Sequence, residues 1–465
     1  MTAATRSMKE TDAIATNEAP GARIAREAAA VSADDLPAEV IDKVKLCLLD
    51  LVGCAFESRD LPWARQAVAM ADRVAEGATV IASPRAAACG DAAFANAVMG
   101  HGLVREDMHS GSISHLGIVV LPALLALAQL HRTGGRDFIA AAMVGYEVGG
   151  QVGRALMDAE VARIHRPTGV TGPVAGAAAG ARLLGLDAAQ TASAIALGAN
   201  TVAGFNQWAH TGGSEMFFQA GFAARNAVSA ARLAGQGAFA SPSALDGEAG
   251  LFAAFGKRAA ASKVALFRAT PEILSVYHKP VPACNFAQTA CQAALGIARD
   301  GKCAPGNIER IDIKVPRAGA LYPGCDFSGP YAHILQAKMS IQYNVAAALI
   351  EGSVSEKNFT LLNDPRLHRL IGVTTLHVDD RMTRAYPGMQ GGEVEVRLKD
   401  GNVHGMRLDD VVNATATDVR ARFRAAAEAV LGAARAGEIE ENIDRLEASD
   451  DVGRIAALLR APDGK

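Results

Sequence analysis

The sequence predicts a mainly α protein in which both ends of the chain build one all-α domain and an α+β domain is inserted between them. Three features support this fold class. Apolar residues recur at helical spacing from about residue 20 to residue 265, strand-like alternation begins near Pro271, and helical spacing returns from about Asp410. We therefore predict a flexible tail at residues 1–20, an all-α domain at residues 21–271 plus 410–465, and an α+β domain at residues 272–409.

The first half of the chain opens on an amphipathic helix and contains a helix pair built from small residues. In SADDLPAEVIDKVKLCLLDLVGCAF, Ser32 or Asp34 could cap the helix and Pro37 suits its first turn. Its apolar stripe consists of Leu36, Val40, Val44, Cys47, Leu48 and Leu51. The Ala- and Gly-rich run of residues 172–199 lets two helices approach closely, and Asp187 is expected to cap the second. A dinucleotide-binding motif is disfavoured, because no strand precedes this run and its glycines do not fit GxGxxG.

The second half mixes strands and helices. IERIDIKVPR (308–317) and TTLHVDD (374–380) alternate apolar and polar residues as half-buried strands do. GEVEVRLKDGNVHGMRL predicts a hairpin around the Asp400-Gly401 turn. CNFAQTACQAALGIARDG and AKMSIQYNVAAALIEG predict helices between the strands, and ATDVRARFRAAAEAVLGAARA returns the chain to helix.

The bulk composition limits the class of protein. A chain of 465 residues is longer than a domain with a single hydrophobic core usually is. With 50% hydrophobic and 20% charged residues, it can bury a large interior. A formal net charge of −3 without a dense Lys/Arg run gives no surface for nucleic acid. The longest apolar run, from about Gly117 to Leu130, contains Pro122 and is too short for a bilayer, so no membrane role is expected.

Cysteine usage and the first residues indicate a cytoplasmic protein. The seven cysteines include no CxxC pair, which argues against a zinc ribbon and a thioredoxin-type motif. The first twenty residues lack the apolar segment of a signal peptide. We therefore expect reduced thiols in the cytoplasm.

The segment HGLVREDMHSGSISHLG (101–117) is a polar loop dense in ionisable side chains. Glu106, Asp107, His109 and His115 could serve as acids, bases or metal ligands. The six-residue spacing of the last two histidines fits no helical ligand pair, which argues against a dinuclear metal hydrolase. In the structural alternative, Glu106 and Asp107 cap the following helix and the histidines are solvated.

Three further segments carry chemistry-bearing residues. ARIHRPTGVTGPVAG places His165 and Arg166 before a helix N-terminus, where cations and free N–H groups suit a carboxylate. In YHKPVPACNFAQTA, burial could lower the pKa of Lys279, and Cys284 stands where a helix start could activate it. Tyr343 stands alone in an apolar helix. The structural alternatives are a solvated loop histidine, a surface lysine with a core cysteine, and a tyrosine packed at the core edge.

Taken in order, these segments resemble the MmgE/PrpD family, whose members include 2-methylcitrate dehydratase, cis-aconitate decarboxylase and iminodisuccinate epimerase. The resemblance covers nearly the whole chain. It rests on CLLDLVGCAF, GYEVGGQVGRAL, HRPTGVTGPVAGAAAGARLLGLD, KPVPACNFAQTACQA, AKMSIQYNVAAALIEG and the loop with its following helix. It implies an all-α domain with an inserted α+β lid, a site between them, no metal or organic cofactor, and a homodimer.

The resemblance also implies site residues. It makes His115, His165, Lys279 and Tyr343 catalytic, and we add Asp107 as a fifth catalytic candidate. Substrate-binding candidates are Arg105, Glu106, His109, Arg166 and Cys284. No metal ligand is expected.

The loop departs from the pattern that the resemblance implies. Val104 stands where an acid is usual, Met108 replaces a threonine, and the loop is one residue longer. In AHTGGSEMFFQAGFAARNA the usual substrate-binding lysine is missing, and Glu215 or Met216 occupies its neighbourhood. Gln219 stands in place of a histidine, and Arg105 could supply a replacement cation.

The resemblance implies proton transfer next to carboxylates. We predict a cofactor-free hydro-lyase of a 2-methylcitrate-like substrate. Two alternatives remain open, namely an epimerase or decarboxylase of a related carboxylate and an inactive member that acts as a binding protein. The partner in the enzyme hypotheses is a small carboxylate.

Overall fold

The computed structural model describes residues 18–267 and 270–462. The mainly α fold class is confirmed by the long helices of the first half and of the C-terminal end. The predicted tail at residues 1–20 falls mostly on residues 1–17, which lie outside the described residues. The domain boundaries at 271/272 and 409/410 stay a prediction.

The helices of the first half are α1 (Pro20–Ala29), α2 (Ala38–Ser58), α3 (Pro62–Met70), α4 (Cys89–His101), α5 (Gly117–His131), α6 (Gly135–Leu156), α7 (Ala159–Ile164), α8 (Pro167–Leu183), α9 (Ala188–Ala199), α10 (Trp208–Thr211), α11 (Glu215–Gly235) and α12 (Leu251–Ala254). The second half contributes α13 (Gln288–Arg299), α14 (Arg317–Leu321), α15 (Ile334–Met339), α16 (Ile341–Glu351), α17 (Pro365–Gly372), α18 (Asp380–Ala385), α19 (Ala416–Leu431), α20 (Ala433–Asp444) and α21 (Val452–Leu458). The strands are β1 (Ala78–Thr79), β2 (Ala86–Ala87), β3 (Met108–His109), β4 (Val276–Tyr277), β5 (Ile308–Val315), β6 (Thr374–Val378), β7 (Gly392–Leu398) and β8 (Val403–Leu408).

The small-residue helix α8 lies at the centre of the helical part and packs against α5, α6, α9 and α11. Glycines explain the closeness of α8 to α11. A Cβ placed on Gly176 would stand 2.6 Å from the Cβ of Ala227, and one on Gly180 would stand 2.7 Å from that of Ala231. Within the predicted pair α8 and α9, a Cβ on Gly198 would stand 2.6 Å from the carbonyl oxygen of Pro173, so the predicted close approach is confirmed, because larger side chains would force these helices apart.

Two cap predictions have opposite outcomes. Asp187 caps α9 with a reciprocal capping box to Gln190, as predicted. The cap predicted at Ser32 or Asp34 is wrong, because α2 begins at Ala38 with Pro37 as its N-cap and no side-chain cap. Pro37 fixes the entry angle of this helix without a hydroxyl or carboxylate cap.

The predicted strands of the second half form one four-stranded sheet in the order β6-β5-β7-β8. β5 pairs parallel with β6 and antiparallel with β7, and β7 and β8 form the predicted hairpin. Gly401 has a φ of 86°, the left-handed conformation that this turn requires. α13 packs on β7 and β8, so the inserted part has its own helix-on-sheet layer.

A short strand pair is one of the contacts that join the helical part to the inserted part. β3 pairs antiparallel with β4, with Met108 opposite Tyr277 and His109 opposite Val276, which brings the polar loop beside the segment that carries Lys279. Within the helical part, α19 from the C-terminal end packs on α2, where Phe423 lies close to Gly53. Among the described helices, none combines the length and the apolar character that a bilayer crossing demands.

Candidate active site

A small cavity lies between the helical part and the inserted part. The helical part contributes Val104, Met108, Ile113, His115, Arg166 and Met216, and the inserted part contributes Cys284, Asn285, Phe286, Tyr322 and Met339. Sulfur-containing, aliphatic and aromatic side chains cover much of this wall, while the imidazole and the guanidinium give it polar, chemically competent groups.

One carboxylate and two imidazoles form a buried triad beside the cavity. His101 is the last residue of α4, and its Nδ1 lies 2.5 Å from Oε1 of Glu106. Nδ1 of His115 lies 2.8 Å from the same oxygen. Burial opposes the charge of Glu106, but the two imidazoles hold its pKa well below its usual range. The triad therefore holds one negative charge.

The contact with Arg166 fixes the tautomer of His101. Nη2 of Arg166 lies 3.0 Å from Nε2 of His101. A guanidinium can only donate, so Nε2 accepts and the ring proton sits on Nδ1, from which it is donated to Glu106. His101 is therefore a neutral imidazole, and burial lowers its pKa in the same direction.

His115 presents a free lone pair to the cavity. Its Nδ1 lies between two acceptors, the carboxylate of Glu106 and the carbonyl oxygen of Asp107 at 3.0 Å, so Nδ1 carries the proton. Nε2 on the opposite edge of the ring has no hydrogen-bond partner among the described residues, and the ring lines the cavity. Burial lowers the pKa of His115 to about 3, so the imidazole of the ligand-free site is neutral.

Asp107 positions this histidine from behind. Its backbone carbonyl holds Nδ1 of His115, while its carboxylate accepts a 2.5 Å hydrogen bond from the hydroxyl of Tyr146. Burial raises the pKa of Asp107 to about 6. Because its carboxylate lies outside the cavity lining, the structure places Asp107 as a support for His115 rather than as an acid in contact with a ligand.

Two cations balance the triad. Arg166 is buried, lines the cavity and donates from Nη1 to the hydroxyl of Tyr322 at 3.2 Å. Its fork carries five N–H donors, so donors remain for a ligand carboxylate. Lys279 is fully buried behind the wall, its ammonium donates to the carbonyl of Val104, and burial lowers its pKa to about 8. Counted over Arg166, Lys279 and Glu106, the charge is one positive unit below pH 8, and the Asp107 carboxylate behind His115 adds a negative charge above about pH 6.

A second buried lysine helps to hold the loop. Lys338 donates to the carbonyl of Leu103 at 3.2 Å and pairs with Glu356 at 2.6 Å. Lys279 and Lys338 thus hold two consecutive loop carbonyls from the inserted part. Val104 has a φ of 56°, a left-handed conformation that a β-branched residue rarely adopts and that costs about 1–3 kcal/mol. The lysine contact helps to stabilise this strained wall position.

Two thiols meet at the cavity wall. Sγ of Cys284 lies 3.4 Å from Sγ of Cys325. Burial opposes the thiolate of Cys284, but the Cys325 thiol and the Lys279 ammonium hold its pKa below the usual value. Cys284 precedes the turn that leads into α13, as its predicted position at a helix start implied.

The structure does not bring His165 or Tyr343 to the cavity. The ring of His165 packs against Phe205 and Phe255, with centroid distances of 5.8 and 4.8 Å. The hydroxyl of Tyr343 donates to the carbonyl of Asn358 at 2.9 Å. Neither side chain lines this cavity, because the turn before α8 directs Arg166 inward in place of His165, and α16 directs Tyr343 into the core of the inserted part. Their catalytic roles stay a prediction.

Two predicted substrate-binding residues are also engaged elsewhere. Arg105 forms a two-pronged ion pair with Glu57, with distances of 2.6 and 3.2 Å, and does not line the cavity. His109 lies 2.6 Å from Glu272 through Nε2 and 2.7 Å from the hydroxyl of Ser112 through Nδ1. Arg105 is therefore engaged away from the cavity, and its role as a replacement cation stays a prediction. The structural alternative of solvated loop histidines does not hold, because His101, His109 and His115 are buried.

The triad atoms could also be considered as metal ligands. His101, Glu106 and His115 place ligand atoms within 4.8 Å of one another. A metal-bound histidine normally donates its other ring N–H to an acceptor, but Nε2 of His101 faces the donor group of Arg166. The arrangement therefore fits proton sharing better than metal ligation. His109 lies outside this group, so the four residues of the hydrolase alternative are not gathered.

The site contains residues that the sequence did not single out, namely His101, Tyr322 and Cys325. His101 is the first residue of the polar loop segment and precedes Glu106 by five residues. This closeness in sequence to the acidic pair could have marked it as a candidate site residue. Tyr322 and Cys325 reach the site from the segment around α14, far along the chain from Arg166, and no local spacing marks them.

Comparison with known proteins adds family information. The MmgE/PrpD N-terminal domain model matches residues 22–263, and the MmgE/PrpD C-terminal domain model matches residues 281–448. The chain is 30% identical to the cis-aconitate decarboxylase-like protein oryM of Aspergillus oryzae, covering 91% of this chain and 94% of that protein. It is 25% identical to the cis-aconitate decarboxylase of Aspergillus terreus (93% and 94% covered) and 25% identical to that of Mus musculus (80% and 78% covered).

Proposed function

This chain belongs to the MmgE/PrpD family, and from that premise we propose that it is a lyase that removes CO2 from a small unsaturated di- or tricarboxylate. The observation that carries the proposal is the division of the cavity wall. His115 and Arg166 form a polar side, and Met108, Met216, Met339 and their neighbours form an apolar side. The named decarboxylase relatives support this reaction class.

The polar side binds one carboxylate and supplies a proton. Arg166 binds a carboxylate that stays on the substrate, and the buried Lys279 ammonium adds to the attraction. A second carboxylate lies against the apolar wall, where loss of its charge as CO2 is favoured. When the carbon–carbon bond breaks, its electron pair passes to the substrate, whose retained carboxylate shares the charge with Arg166.

His115 completes the reaction as an acid. The approach of an anionic substrate raises its pKa, so Nε2 takes a proton from solvent, and Glu106 stabilises the resulting imidazolium through Nδ1. Nε2–H then protonates the substrate carbon. One proton is consumed and one CO2 is released, so the carboxylate is replaced by hydrogen. Arg166, Glu106 and His115 carry the chemistry without a cofactor.

A hydro-lyase of a 2-methylcitrate-like substrate is the second candidate. It is favoured by the neutral Nε2 of His115, which could remove the proton α to a carboxylate. The two candidates differ in pH dependence. For decarboxylation, kcat/KM falls as the pH rises, because His115 must be protonated. For dehydration, kcat/KM is flat from about pH 4 to pH 8.

The test is turnover of cis-aconitate, citrate, 2-methylcitrate and alkyl-substituted cis-aconitates with a metal chelator present, followed by NMR and by CO2 release. We expect CO2 release, a loss of about 10²–10⁴-fold in kcat for His115→Gln, and a matched control in His165→Gln with kcat within about threefold. Turnover of none of these acids refutes the enzyme proposal and favours the binding-protein alternative. Water loss without CO2 favours the hydro-lyase, and activity lost to the chelator refutes cofactor-free chemistry.

We also propose a cytoplasmic homodimer, as the family resemblance implies. Light scattering of the purified chain measures the mass of the assembly. A monomeric mass at micromolar concentration contradicts the dimer.

A further inference from the structure

The thiol pair at the cavity wall has no part in the proposed reaction. Sγ of Cys284 lies 3.4 Å from Sγ of Cys325. All seven cysteines lie in the described ranges 18–267 and 270–462, and no other two thiols there are within hydrogen-bond distance. A disulfide has an S–S distance of about 2.05 Å, so these two sulfurs need to approach by about 1.3 Å. Small rotations about the two Cα–Cβ bonds can cover this distance.

The backbone holds both cysteines against one short segment. The N–H of Cys284 donates to the carbonyl of Lys338 at 2.8 Å, and the carbonyl of Cys325 accepts from the N–H of Ile341 at 2.9 Å. Lys338 and Ile341 stand where α15 ends and α16 begins. The two cysteines are 41 residues apart in sequence, yet the same stretch of chain fixes both backbones, so bond formation needs no large movement of either.

The two thiols differ in the way that disulfide formation requires. Cys284 lines the cavity, whereas Cys325 does not line it and is fully buried. Burial opposes the thiolate of Cys284, but the Cys325 thiol, the Lys279 ammonium and the backbone N–H of Phe286 hold its pKa below the usual value. Burial and the neighbouring Cys284 raise the pKa of Cys325 well above the usual value. Cys284 is therefore the attacking thiolate, and Cys325 is the thiol that follows it.

We propose that Cys284 and Cys325 form a redox-sensitive modification site, at which hydrogen peroxide that enters the cavity converts the two thiols into a reversible disulfide. The Cys284 thiolate attacks a peroxide oxygen and the O–O bond breaks. A sulfenic acid forms, and the leaving hydroxide takes up the proton of the former thiol. The sulfur of Cys325 then attacks the sulfenic sulfur, the S–O bond breaks, and the Cys325 proton leaves with that oxygen as water. The two thiols lose two electrons in total, peroxide is reduced to two waters, and a dithiol reductant reverses the change.

The disulfide also affects the cation of the site, and this effect rests on the proposed function. The N–H of Cys325 donates to the carbonyl of Tyr322 at 3.1 Å, and the hydroxyl of Tyr322 accepts from Arg166 at 3.2 Å. Movement of Cys325 toward Cys284 therefore shifts the turn that positions Arg166. Because a displacement of about 1 Å can lower activity by about 10²-fold, we expect kcat/KM of the oxidised chain to be at least about fivefold lower.

Differential alkylation of the full chain tests the modification without any substrate. The chain is treated with hydrogen peroxide and its remaining thiols are blocked under denaturing conditions. The oxidised thiols are then reduced with dithiothreitol, labelled with a second reagent and located by mass spectrometry. We expect the second label on Cys284 and Cys325 alone, and no second label when dithiothreitol precedes the blocking step. The inference is overturned if all seven cysteines are blocked at the first step, if a different pair carries the label, or if oxygen is gained only at Met108, Met216 and Met339.

A matched pair of variants separates this contact from the burial of a thiol in general. Cys325→Ser removes the second thiol, so peroxide should leave a sulfenic acid on Cys284 that dimedone captures. Cys291→Ser carries the same change in α13, where Sγ of Cys291 lies 3.5 Å from the carbonyl of Asn344, and it should form the disulfide as the natural chain does. A disulfide at Cys284 in Cys325→Ser overturns the inference. If that variant does not fold, the labelling pattern of the natural chain decides by itself.

Turnover tests the effect on the site separately. The natural chain and Cys291→Ser should each lose at least about fivefold in kcat/KM after peroxide, relative to their own reduced state, and dithiothreitol should restore it. A chain that contains the disulfide and keeps its kcat/KM overturns the effect on Arg166 and supports the modification alone. A chain that turns over none of the tested acids refutes the proposed function, and the labelling pattern still decides the disulfide.

Discussion

Replacement of Glu106 by glutamine removes the charge that supports both imidazoles and keeps the shape of the side chain. The amide oxygen can still accept the Nδ1 protons of His101 and His115, so the ring tautomers stay as they are. What is lost is the attraction between an imidazolium at His115 and a carboxylate 2.8 Å away. Coulomb's law gives about 6 kcal/mol for this pair at an effective dielectric constant of about 20, and about 1.5 kcal/mol in bulk water.

The expected effect lies between these limits. The glutamine side chain also avoids the desolvation cost of a buried carboxylate, so we expect a net loss of about 2–4 kcal/mol in the step that needs the imidazolium. This corresponds to a kcat about 30- to 700-fold lower. The net charge of the site rises from one to two positive charges, so KM for an anionic substrate should fall or stay constant. A large drop in kcat without a rise in KM is therefore the signature.

The assay is steady-state turnover of whichever acid the natural chain uses, with Glu57→Gln as the control. Glu57 pairs with Arg105 outside the cavity, so its variant should keep kcat within about threefold. An unchanged kcat in Glu106→Gln, or a raised KM at constant kcat, would refute the role assigned to this carboxylate. Stability gives a second readout. The folded-state pKa of Glu106 is depressed, so its stabilising contribution is lost as the pH falls below about 4.3, and the variant should lack this component of acid unfolding.

Three further predictions follow from the same site. The pKa of Lys279 is about 8, so KM of the natural chain should rise above pH 8 as the ammonium loses its charge. Lys279→Met should raise KM at pH 7 and remove this pH dependence. A constant KM of the natural chain from pH 7 to 9 contradicts the role of Lys279 in attracting the substrate. Iodoacetamide should inactivate the enzyme through Cys284, with protection by butylsuccinate, because this thiol lines the cavity and has a lowered pKa, whereas burial raises the pKa of Cys291 to about 12. Mass spectrometry locates the label, and a label found only on other cysteines contradicts this prediction. Tyr322→Phe should raise KM severalfold, because Arg166 loses a hydrogen-bond partner. Tyr343→Phe should lower the free energy of unfolding by about 1 kcal/mol and leave KM unchanged. The reverse pattern would support the catalytic role that the family resemblance implied for Tyr343.

Much of the fold could be predicted because its signals are local and repeated. The period of apolar residues located the helical part, and the alternation around Asp400-Gly401 located the hairpin. Small residues predicted close helix packing, although their main partner is α11 rather than the neighbouring α9 alone. The wrong cap prediction at Ser32 or Asp34 shows that local sequence does not fix the first residue of a helix, because α2 begins after Pro37 without a side-chain cap.

The site was predictable in location but not in the direction of its side chains. His165 and Arg166 are neighbours in a turn, and only the backbone course before α8 decides which of them points inward. Arg105 and His109 are charged or polar residues of the correct loop, but each has a partner from a distant segment, Glu57 and Glu272. Such pairings depend on tertiary structure, and the loop sequence alone contains no sign of them.

The charge balance of the cavity is one argument for the decarboxylation that we propose over dehydration. Arg166 and Lys279 against Glu106 leave one unit of positive charge, which the Asp107 carboxylate behind His115 offsets above about pH 6, so at most one substrate carboxylate is compensated. Any further carboxylate lies against methionine, valine and isoleucine side chains, where an ion has lost its water and has gained no partner. A hydroxyl leaving group would instead need an acid close to it. The guanidinium of Arg166 does not give up its protons, and the hydroxyl of Tyr322 accepts a hydrogen bond from Arg166 and has a pKa that burial raises, so neither is a strong acid. On the proposed function, a substrate carboxylate with no cation beside it would be the least stable group of the bound acid, and its departure as neutral CO2 would relieve the cost of its burial.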